Sequence, residues 1–366
     1  MNRANALAEG FMSIPTEPIG SIPRPPELIA AWADRQAGRL SDQQFREIAD
    51  RALRDTLRRF EETGSPVVTD GEQTKSSFAT YPLDGASGLA PDGVVVPFKD
   101  GHTRQLPRLA TGPFRYATHA STYLTAAKRL TTRPVKQAVI SASALSLLYP
   151  QSGIPGYARE AFLVDLVREA VADIRECLDR GSDSVQIDFT EGRLSLKLDP
   201  GGGLLDQFVA LNNRVLDHFS PEERRRIGVH TCPGGDRDST HSADVDYSSL
   251  LPALFRLRVG RFYLQLASEA DPKRVLGIAR KHRQGDQMVF VGVTDPINPR
   301  VETAEQVRDR ILLAAEYIPI ASLGTTDDCG FSPFADDAST SRDIAFEKIR
   351  ARVAGTELAA RQLGRG

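Results

Sequence analysis

The sequence predicts an α/β protein of the (β/α)₈ (TIM) barrel class, with residues 1–366 forming a single barrel domain. Eight short apolar segments alternate with amphipathic helical segments along the chain, which is the pattern of a parallel sheet covered by helices. The length of 366 residues suits one barrel with insertions. Polar and acidic residues follow most of the strand segments, at the carboxyl ends of the strands, where barrel enzymes have their active sites.

The first strand is predicted at residues 17–21. The proline-rich stretch 22–26 follows it and is predicted as a turn, since prolines interrupt regular structure and no helix could continue through them. Apolar residues recur at three- and four-residue spacing over residues 27–62, which predicts a helix, with Ser41 as a candidate N-cap. A β-branched run at residues 66–70 is the second predicted strand.

Residues 74–130 interrupt this alternation. Apolar and polar residues before and after Asp100–Gly101 predict a β-hairpin, since Asp-Gly is a favoured hairpin turn. We therefore expect a hairpin and loop excursion between strands two and three and not a separate domain.

The alternation resumes after the excursion. The remaining predicted strands are residues 137–141, 184–188, 227–230, 262–267, 288–293 and 320–324. The predicted helices are residues 157–180, 205–219, 247–257, 272–282, 304–317 and 339–363. An open doubly wound sheet is the alternative fold, but no Gly-x-Gly-x-x-Gly follows a strand to support its usual nucleotide site.

The composition limits the kinds of binding partner and the cellular location that we expect for this protein. The chain has 46 Lys and Arg against 48 Asp and Glu, so its net charge of −2 gives no reason to expect nucleic acid or an anionic membrane as a partner. It has no apolar run of membrane-spanning length and no apolar core of a signal peptide at its start, so we expect a cytoplasmic protein. Three cysteines are too few for a disulfide framework.

A metal site is predicted at the end of the fifth strand. His230 and Cys232 are two residues apart, so on a strand they point to the same side. Imidazole and thiolate are ligands that zinc favours, and Cys329, after the last strand, would reach the same barrel mouth. The alternative is that each cysteine is a small buried hydrophobic residue, which we expect for Cys177 in its helix.

The chain also resembles a known family. The segments that carry the resemblance are Ile19-Gly20-Ser21, Gly71-Glu72, Gln186-Ile187-Asp188, His230-Thr231-Cys232, Gly292-Val293-Thr294-Asp295 and Asp328-Cys329-Gly330. In this order they are similar to the catalytic domain of cobalamin-independent methionine synthase, and equally to epoxyalkane:coenzyme M transferase.

The resemblance implies a zinc enzyme that activates a small thiol, homocysteine or a coenzyme M-like compound, and transfers a methyl or alkyl group to its sulfur from an unidentified donor. It implies these residue roles: zinc ligands His230, Cys232 and Cys329, contacts to the amino group of homocysteine from Glu72 and Asp188, and a backbone contact from Ile19 with Ser21.

The chain departs from the family pattern at several positions. Either Gln265 or Glu269 corresponds to a fourth zinc ligand, and the sequence leaves both open. Ile297 replaces a proton-donating histidine and Tyr149 replaces a tryptophan that stacks on a folate donor, which weakens the expectation of a folate donor. Asp295 is a candidate catalytic residue or a turn cap.

Three functions remain open. They are methyl transfer to homocysteine, addition of a thiolate to an epoxide, and a non-catalytic zinc-binding accessory barrel; the first is preferred. His241 lies in a polar loop, and we expect it on the surface more than in the site.

Overall fold

The computed structural model describes residues 14–364, which form a ring of parallel strands surrounded by helices. The strands in chain order are β1 (Leu89–Ala90), β2 (Val95–Pro97), β3 (Thr103–Gln105), β4 (Arg108–Leu109), β5 (Gln137–Ile140), β6 (Val185–Asp188), β7 (Ile227–Thr231), β8 (Gly235–Asp236), β9 (Ser239–Thr240), β10 (Arg261–Leu264), β11 (Met288–Gly292) and β12 (Leu323–Thr326). Within these residues, six strands form one parallel sheet in the order β12-β11-β10-β7-β6-β5.

Helices cover the outside of this sheet. They are Pro26–Gln36, Asp42–Glu62, Ser121–Lys128, Ala142–Ser146, Arg159–Asp179, Glu191–Leu198, Gly203–Leu216, Pro221–Arg224, Tyr247–Leu254, Pro272–His282, Ala304–Ala315 and Arg342–Leu363. Strands β5, β6 and β12 are buried along their whole length, as expected for parallel strands covered on both faces. Over residues 14–364, no helix combines the length and the apolar composition needed to cross a membrane.

Two segments that precede β5 complete the ring. Three contacts make the closure: the parallel bridges Thr16–Thr325 and Val68–Val135, and the hydrogen bond from the Ile22 N–H to the Gly71 carbonyl (3.0 Å). The first segment thus pairs with β12, the second lies beside β5, and the two are bonded to each other. The barrel fold predicted from the sequence is confirmed, with its first two strands reduced to single bridges.

Prolines explain why these two predicted strands are so short. Thr16 lies between Pro15 and Pro18, and Val68 follows Pro66 by two residues. Proline has no N–H to donate, so a ladder of hydrogen bonds cannot extend through it. A bridge at one residue is therefore the pairing that remains.

Two other predicted elements differ from the structure. The helix predicted over 27–62 is two helices, because Gly38 adopts a left-handed conformation (φ 68°) between them; Ser41 caps the second, with the Gln44 N–H donating to its hydroxyl. The last strand starts at Leu323, three residues later than predicted, since the Ser322 N–H donates to the Pro319 carbonyl (2.8 Å) and closes a turn.

The predicted hairpin is present. Strands β2 and β3 pair antiparallel with Val95 opposite Gln105, and the turn between them contains Asp100 and Gly101. Strands β1 and β4 form a second antiparallel pair in the same part of the chain.

Arg352, on the last helix, holds the closure of the ring from outside. Its side chain is fully buried, one guanidinium nitrogen donates to the Thr16 hydroxyl (2.9 Å), and Nε lies 3.1 Å from the Asp327 carboxylate after β12. The buried carboxylate and the guanidinium compensate each other, so removing one leaves the other uncompensated.

We therefore expect Arg352→Leu to lower the free energy of unfolding by about 3–5 kcal/mol, because Asp327 would stay buried without its cation. The matched control is Arg350→Leu on the same helix, whose exposed ion pair with Glu347 should contribute less than about 1 kcal/mol. Urea denaturation followed by circular dichroism measures both. Equal effects of the two substitutions would contradict this account.

Candidate metal centre and adjoining cavity

The structure brings His230, Cys232 and Cys329 together at the carboxyl end of the ring. The candidate ligand atoms of all three lie within 4.8 Å of one another, and the two sulfur atoms are 2.9 Å apart. His230 is the fourth residue of β7, Cys232 follows that strand, and Cys329 follows β12. The ring closure thus places residues 97 positions apart side by side.

These residues fit a zinc ion. His230 is buried, and within residues 14–364 neither ring nitrogen has a hydrogen-bond partner. Buried polar atoms are rarely without a partner, so a buried imidazole with no hydrogen bond beside two thiols is the environment expected of a metal ligand. One histidine and two cysteines are a ligand set that zinc takes, with a further position left for a fourth ligand or substrate.

Asp328, which belongs to one of the segments that carry the family resemblance, positions the loop that carries Cys329. Its carboxylate accepts hydrogen bonds from the Leu266, Ala267 and Ser268 N–H groups (2.8, 2.9 and 2.7 Å) and from the Ser268 hydroxyl (2.7 Å). The loops after β10 and β12 are therefore fastened to each other.

The two candidates for a fourth ligand differ in their contacts. The Glu269 carboxylate pairs with Arg193 (2.8 Å). The Gln265 amide donates to the Ser268 hydroxyl (2.8 Å), and its oxygen is buried with no hydrogen-bond partner in the described part of the chain.

Glu72 and Asp188 lie beside the metal group. Asp188 ends β6 and pairs in register with His230 on β7, while Glu72 is held in a left-handed turn (φ 55°) and forms a buried ion pair with Lys75 (3.0 Å). Burial raises the pKa of both carboxyl groups; Asp188 raises that of Glu72 further, and Lys75 opposes the rise. Both line a small cavity of about 30 Å³.

Ile19 and Ser21 line the same small cavity. The Ser21 hydroxyl accepts a hydrogen bond from the Ser332 N–H (3.1 Å), and a side chain at Gly330 would lie 2.2 Å from that hydroxyl. The first segment therefore packs closely on the loop of Cys329. Ile19 packs on Tyr263 in the interior of the ring.

Asp295 and the two replaced positions lie elsewhere. Asp295 accepts a hydrogen bond from the Ile297 N–H (3.0 Å), which is the geometry of a turn cap, and it is not among the described residues that line the small cavity. Ile297 is exposed. Tyr149 stacks on Phe162 with ring centres 5.3 Å apart.

A larger cavity of about 500 Å³ adjoins the small one. The two share the lining residues Phe78, Thr190, Gly234 and Gly235. The walls of the larger cavity are mostly apolar and include Ile29, Trp32, Phe98, Leu145, Leu147 and Phe334. A ligand there would contact apolar groups on most of its surface.

The hairpin formed by β2 and β3 supplies part of this wall. Arg104 of β3 pairs with Asp236 and with Asp336 (2.8 Å), and the His102 ring contacts Asp236 (2.9 Å). Phe98 stacks on His102 with ring centres 4.3 Å apart. The hairpin is thus attached to the loop after β7 by ionic contacts.

His241 is buried, and the expectation of a surface position is wrong. It lines the larger cavity, its Nδ1 contacts the Ser242 hydroxyl (2.8 Å), and burial lowers its pKa to about 4. Gly234 (φ 71°) lies so close that a side chain there would be 1.7 Å from Nε2. The polar sequence around His241 gives no periodic signal for this burial.

The sequence analysis also did not identify Glu191 and Lys75 as candidate site residues. Glu191 is the first residue of its helix and lines the larger cavity. An acidic residue in the first turn of a helix is common, so its type alone does not distinguish it. Its place three residues after the end of β6 is the signal that could have found it.

A parallel barrel with ionisable groups gathered at the carboxyl ends of its strands is the architecture of barrel enzymes. Residues 14–344 match the family described as the cobalamin-independent synthase catalytic domain, and the chain belongs to that family. The resemblance drawn from the sequence is therefore confirmed.

Relatives cover nearly the whole chain. The methionine synthase of Pyrococcus horikoshii is 22% identical over 357 residues, which span 96% of this chain and 94% of the relative. The B12-independent methionine synthase from Shewanella sp. W3-18-1, solved in complex with selenomethionine, superposes with a TM-score of 0.74 at 20% identity, covering 96% and 99% of the two chains. A putative vitamin-B12-independent methionine synthase from Listeria monocytogenes superposes with a TM-score of 0.70 at 20% identity, covering 94% and 98%.

The close contact at Gly234 gives a test of the wall between the cavities. We expect Gly234→Ala to lower the free energy of unfolding by about 1–3 kcal/mol, because the new methyl group would meet His241 on a backbone with positive φ. Gly235→Ala is the control, since the nearest atom to its methyl group would be 4.0 Å away. Urea denaturation of both variants measures the difference, and similar losses would contradict this packing.

Proposed function

We propose that this chain is a zinc-dependent transferase of the methionine synthase type, which moves a methyl group to the sulfur of homocysteine. The observation that carries the proposal is the convergence of His230, Cys232 and Cys329 within 4.8 Å, beside the buried carboxyl groups of Glu72 and Asp188. We place the activity in a single barrel domain, with residues 74–130 as an insertion in it.

His230, Cys232 and Cys329 would hold the zinc ion. When bound, zinc supplies positive charge that favours the thiolate form of an acceptor thiol near neutral pH. His230 and Cys232 are buried and Cys329 is partly exposed, so much of the site is shielded from water, which would strengthen the electrostatic interactions there.

The carboxyl groups would recognise the ammonium group of homocysteine. Burial and the charges of Asp188 and Asp70 raise the pKa of Glu72, and Lys75 opposes that rise. Burial also raises the pKa of Asp188. The buried cations Lys75, Arg24 and Lys136 interact with these acidic groups. A substrate ammonium would add a charge-assisted hydrogen bond to a buried carboxyl group.

Addition of a thiolate to an epoxide is the second candidate function. The apolar walls of the larger cavity favour a small apolar electrophile, and Tyr149, which stacks on Phe162, is not among the described residues that line this cavity. The acidic pair opposes this candidate if the thiol is coenzyme M, because its sulfonate would meet like charges.

We expect the protein to bind about one zinc ion per chain, and Cys232→Ser or Cys329→Ser to weaken zinc binding at least about tenfold. Cys177→Ser removes a thiol buried in a helix away from this group and serves as the control. Elemental analysis after dialysis against a chelator measures the metal. Full methyl transfer by metal-stripped Cys329→Ser protein would rule out the zinc mechanism.

The acidic pair predicts which thiol binds. Asp188→Asn should weaken homocysteine binding by about 10- to 100-fold, because a charge-assisted hydrogen bond to the ammonium group is lost. Binding of coenzyme M, which has no ammonium group, should not weaken. Calorimetric titration of zinc-loaded protein with each thiol measures this, and tight binding of coenzyme M alone would favour the second candidate function.

A further inference from the structure

Glu191 is a buried acidic residue on the wall of the larger cavity, next to a residue that both cavities share. It is 4% exposed and lines the larger cavity, and its neighbour Thr190 lines both. The carboxyl group makes no ion pair with Arg104, the cavity-lining arginine of the hairpin, because Arg104 is bound to Asp236 and Asp336. Glu191 is therefore an acidic side chain on the wall of a mostly apolar cavity.

One oxygen of this carboxyl group is fixed by a hydrogen-bond network. The hydroxyl groups of Ser141 and Ser143 both donate to Oε1. The Ser141 hydroxyl accepts from the Ala144 N–H (3.1 Å), and the Ser143 hydroxyl accepts from the Asn212 amide (2.7 Å). Since each hydroxyl already accepts a bond, its hydrogen is free to point at Oε1.

This network determines where a proton on Glu191 must lie. Oε1 faces two donors and serves as an acceptor, so the proton of the neutral acid is on Oε2. Oε2 is buried and has no hydrogen-bond partner within residues 14–364. The oxygen that would carry the proton is thus the one left for a ligand.

The surroundings keep a substantial fraction of this acid protonated near neutral pH. Burial raises the pKa of Glu191 to about 7, the bonds from Ser141 and Ser143 oppose the rise, and the charge of Asp188 adds to it. The neighbours on the other packed elements, Ser141, Ser143 and Asn212, are uncharged. His241, which also lines the cavity, is neutral at this pH.

We propose that Glu191 is the general acid of the transfer and gives its Oε2 proton to the atom that leaves the alkyl carbon. This inference rests on the proposed function. The thiolate sulfur forms a bond to the carbon, the electron pair of the broken bond goes to the leaving oxygen or nitrogen, and that atom takes the proton. The Glu191 carboxylate then recovers a proton from water. The donor is accordingly a compound whose leaving atom is a basic oxygen or nitrogen.

The test compares donors that need a proton with one that does not. Zinc-loaded protein and homocysteine are incubated with 1,2-epoxypropane, with 5-methyltetrahydrofolate, or with methyl iodide, whose iodide leaves without a proton. Glu191→Gln keeps an oxygen for the two serine hydroxyls and loses the acid. We expect it to lower the rate with a proton-requiring donor, relative to the rate with methyl iodide, by about 100-fold.

The pH profile separates an acid from a structural residue. With a proton-requiring donor, the wild-type rate should fall as pH rises through about 7, because Glu191 loses its proton, and Glu191→Gln should lack this fall. Ser143→Ala removes a bond that favours the ionised form, so the fall should move to higher pH. A fall at the same pH in all three proteins overturns the proposal.

The remaining outcomes are also decisive. Infrared difference spectra should show a protonated carboxyl band that disappears through the same pH range in the wild type and is absent from Glu191→Gln; an identical band in both overturns the assignment. If the wild type uses methyl iodide and neither proton-requiring donor, the acid role is overturned while the proposed function stands. If it does not accelerate alkylation of homocysteine by methyl iodide, the proposed function fails and the acid role with it.

Discussion

The closure of the strand ring between Thr16 and Thr325 is the constraint on which the site depends. Cys232 follows β7 and Cys329 follows β12, so their sulfur atoms meet only because the strands return on themselves. Arg352 supports this closure from the outer layer, and Asp328 fastens the Cys329 loop on the inside. Arg352 forms a buried ion pair with Asp327, whereas Asp328 accepts hydrogen bonds from neutral backbone and hydroxyl donors. Either contact is costly to break, because a buried carboxylate would lose its partners.

The candidate site is organised by three buried acidic groups. Glu72, Asp188 and Glu191 are all raised in pKa, mainly by burial, and Lys75 neutralises Glu72 alone through a direct contact. The three acids are nevertheless held in different ways. Glu72 has a cation, Asp188 accepts a bond from the Gln186 amide, and Glu191 accepts from hydroxyl groups. Each is therefore suited to a different task.

Much of the architecture could be predicted from the sequence, because buried parallel strands and amphipathic helices have strong periodic patterns. The three zinc candidates were predicted for the same reason: His230 and Cys232 lie at the end of a clear strand. Contacts between distant segments were not predictable. The burial of His241 depends on Gly234, and the environment of Glu191 depends on serine hydroxyl groups about 50 residues away, which no local pattern records.

The two cavities are bounded by different kinds of interaction. The small cavity lies on the barrel edge, among buried backbone and side-chain contacts, whereas the hairpin wall of the larger cavity is attached through Arg104, which is partly exposed, and Asp336, which is more exposed. Salt screens charges that lie more than about 8–10 Å apart at moderate ionic strength, and it weakens exposed ion pairs more than buried ones. Raising the ionic strength should therefore weaken the exposed contact between Arg104 and Asp336, while the buried Asp236 partner of Arg104 keeps the hairpin attached to the barrel.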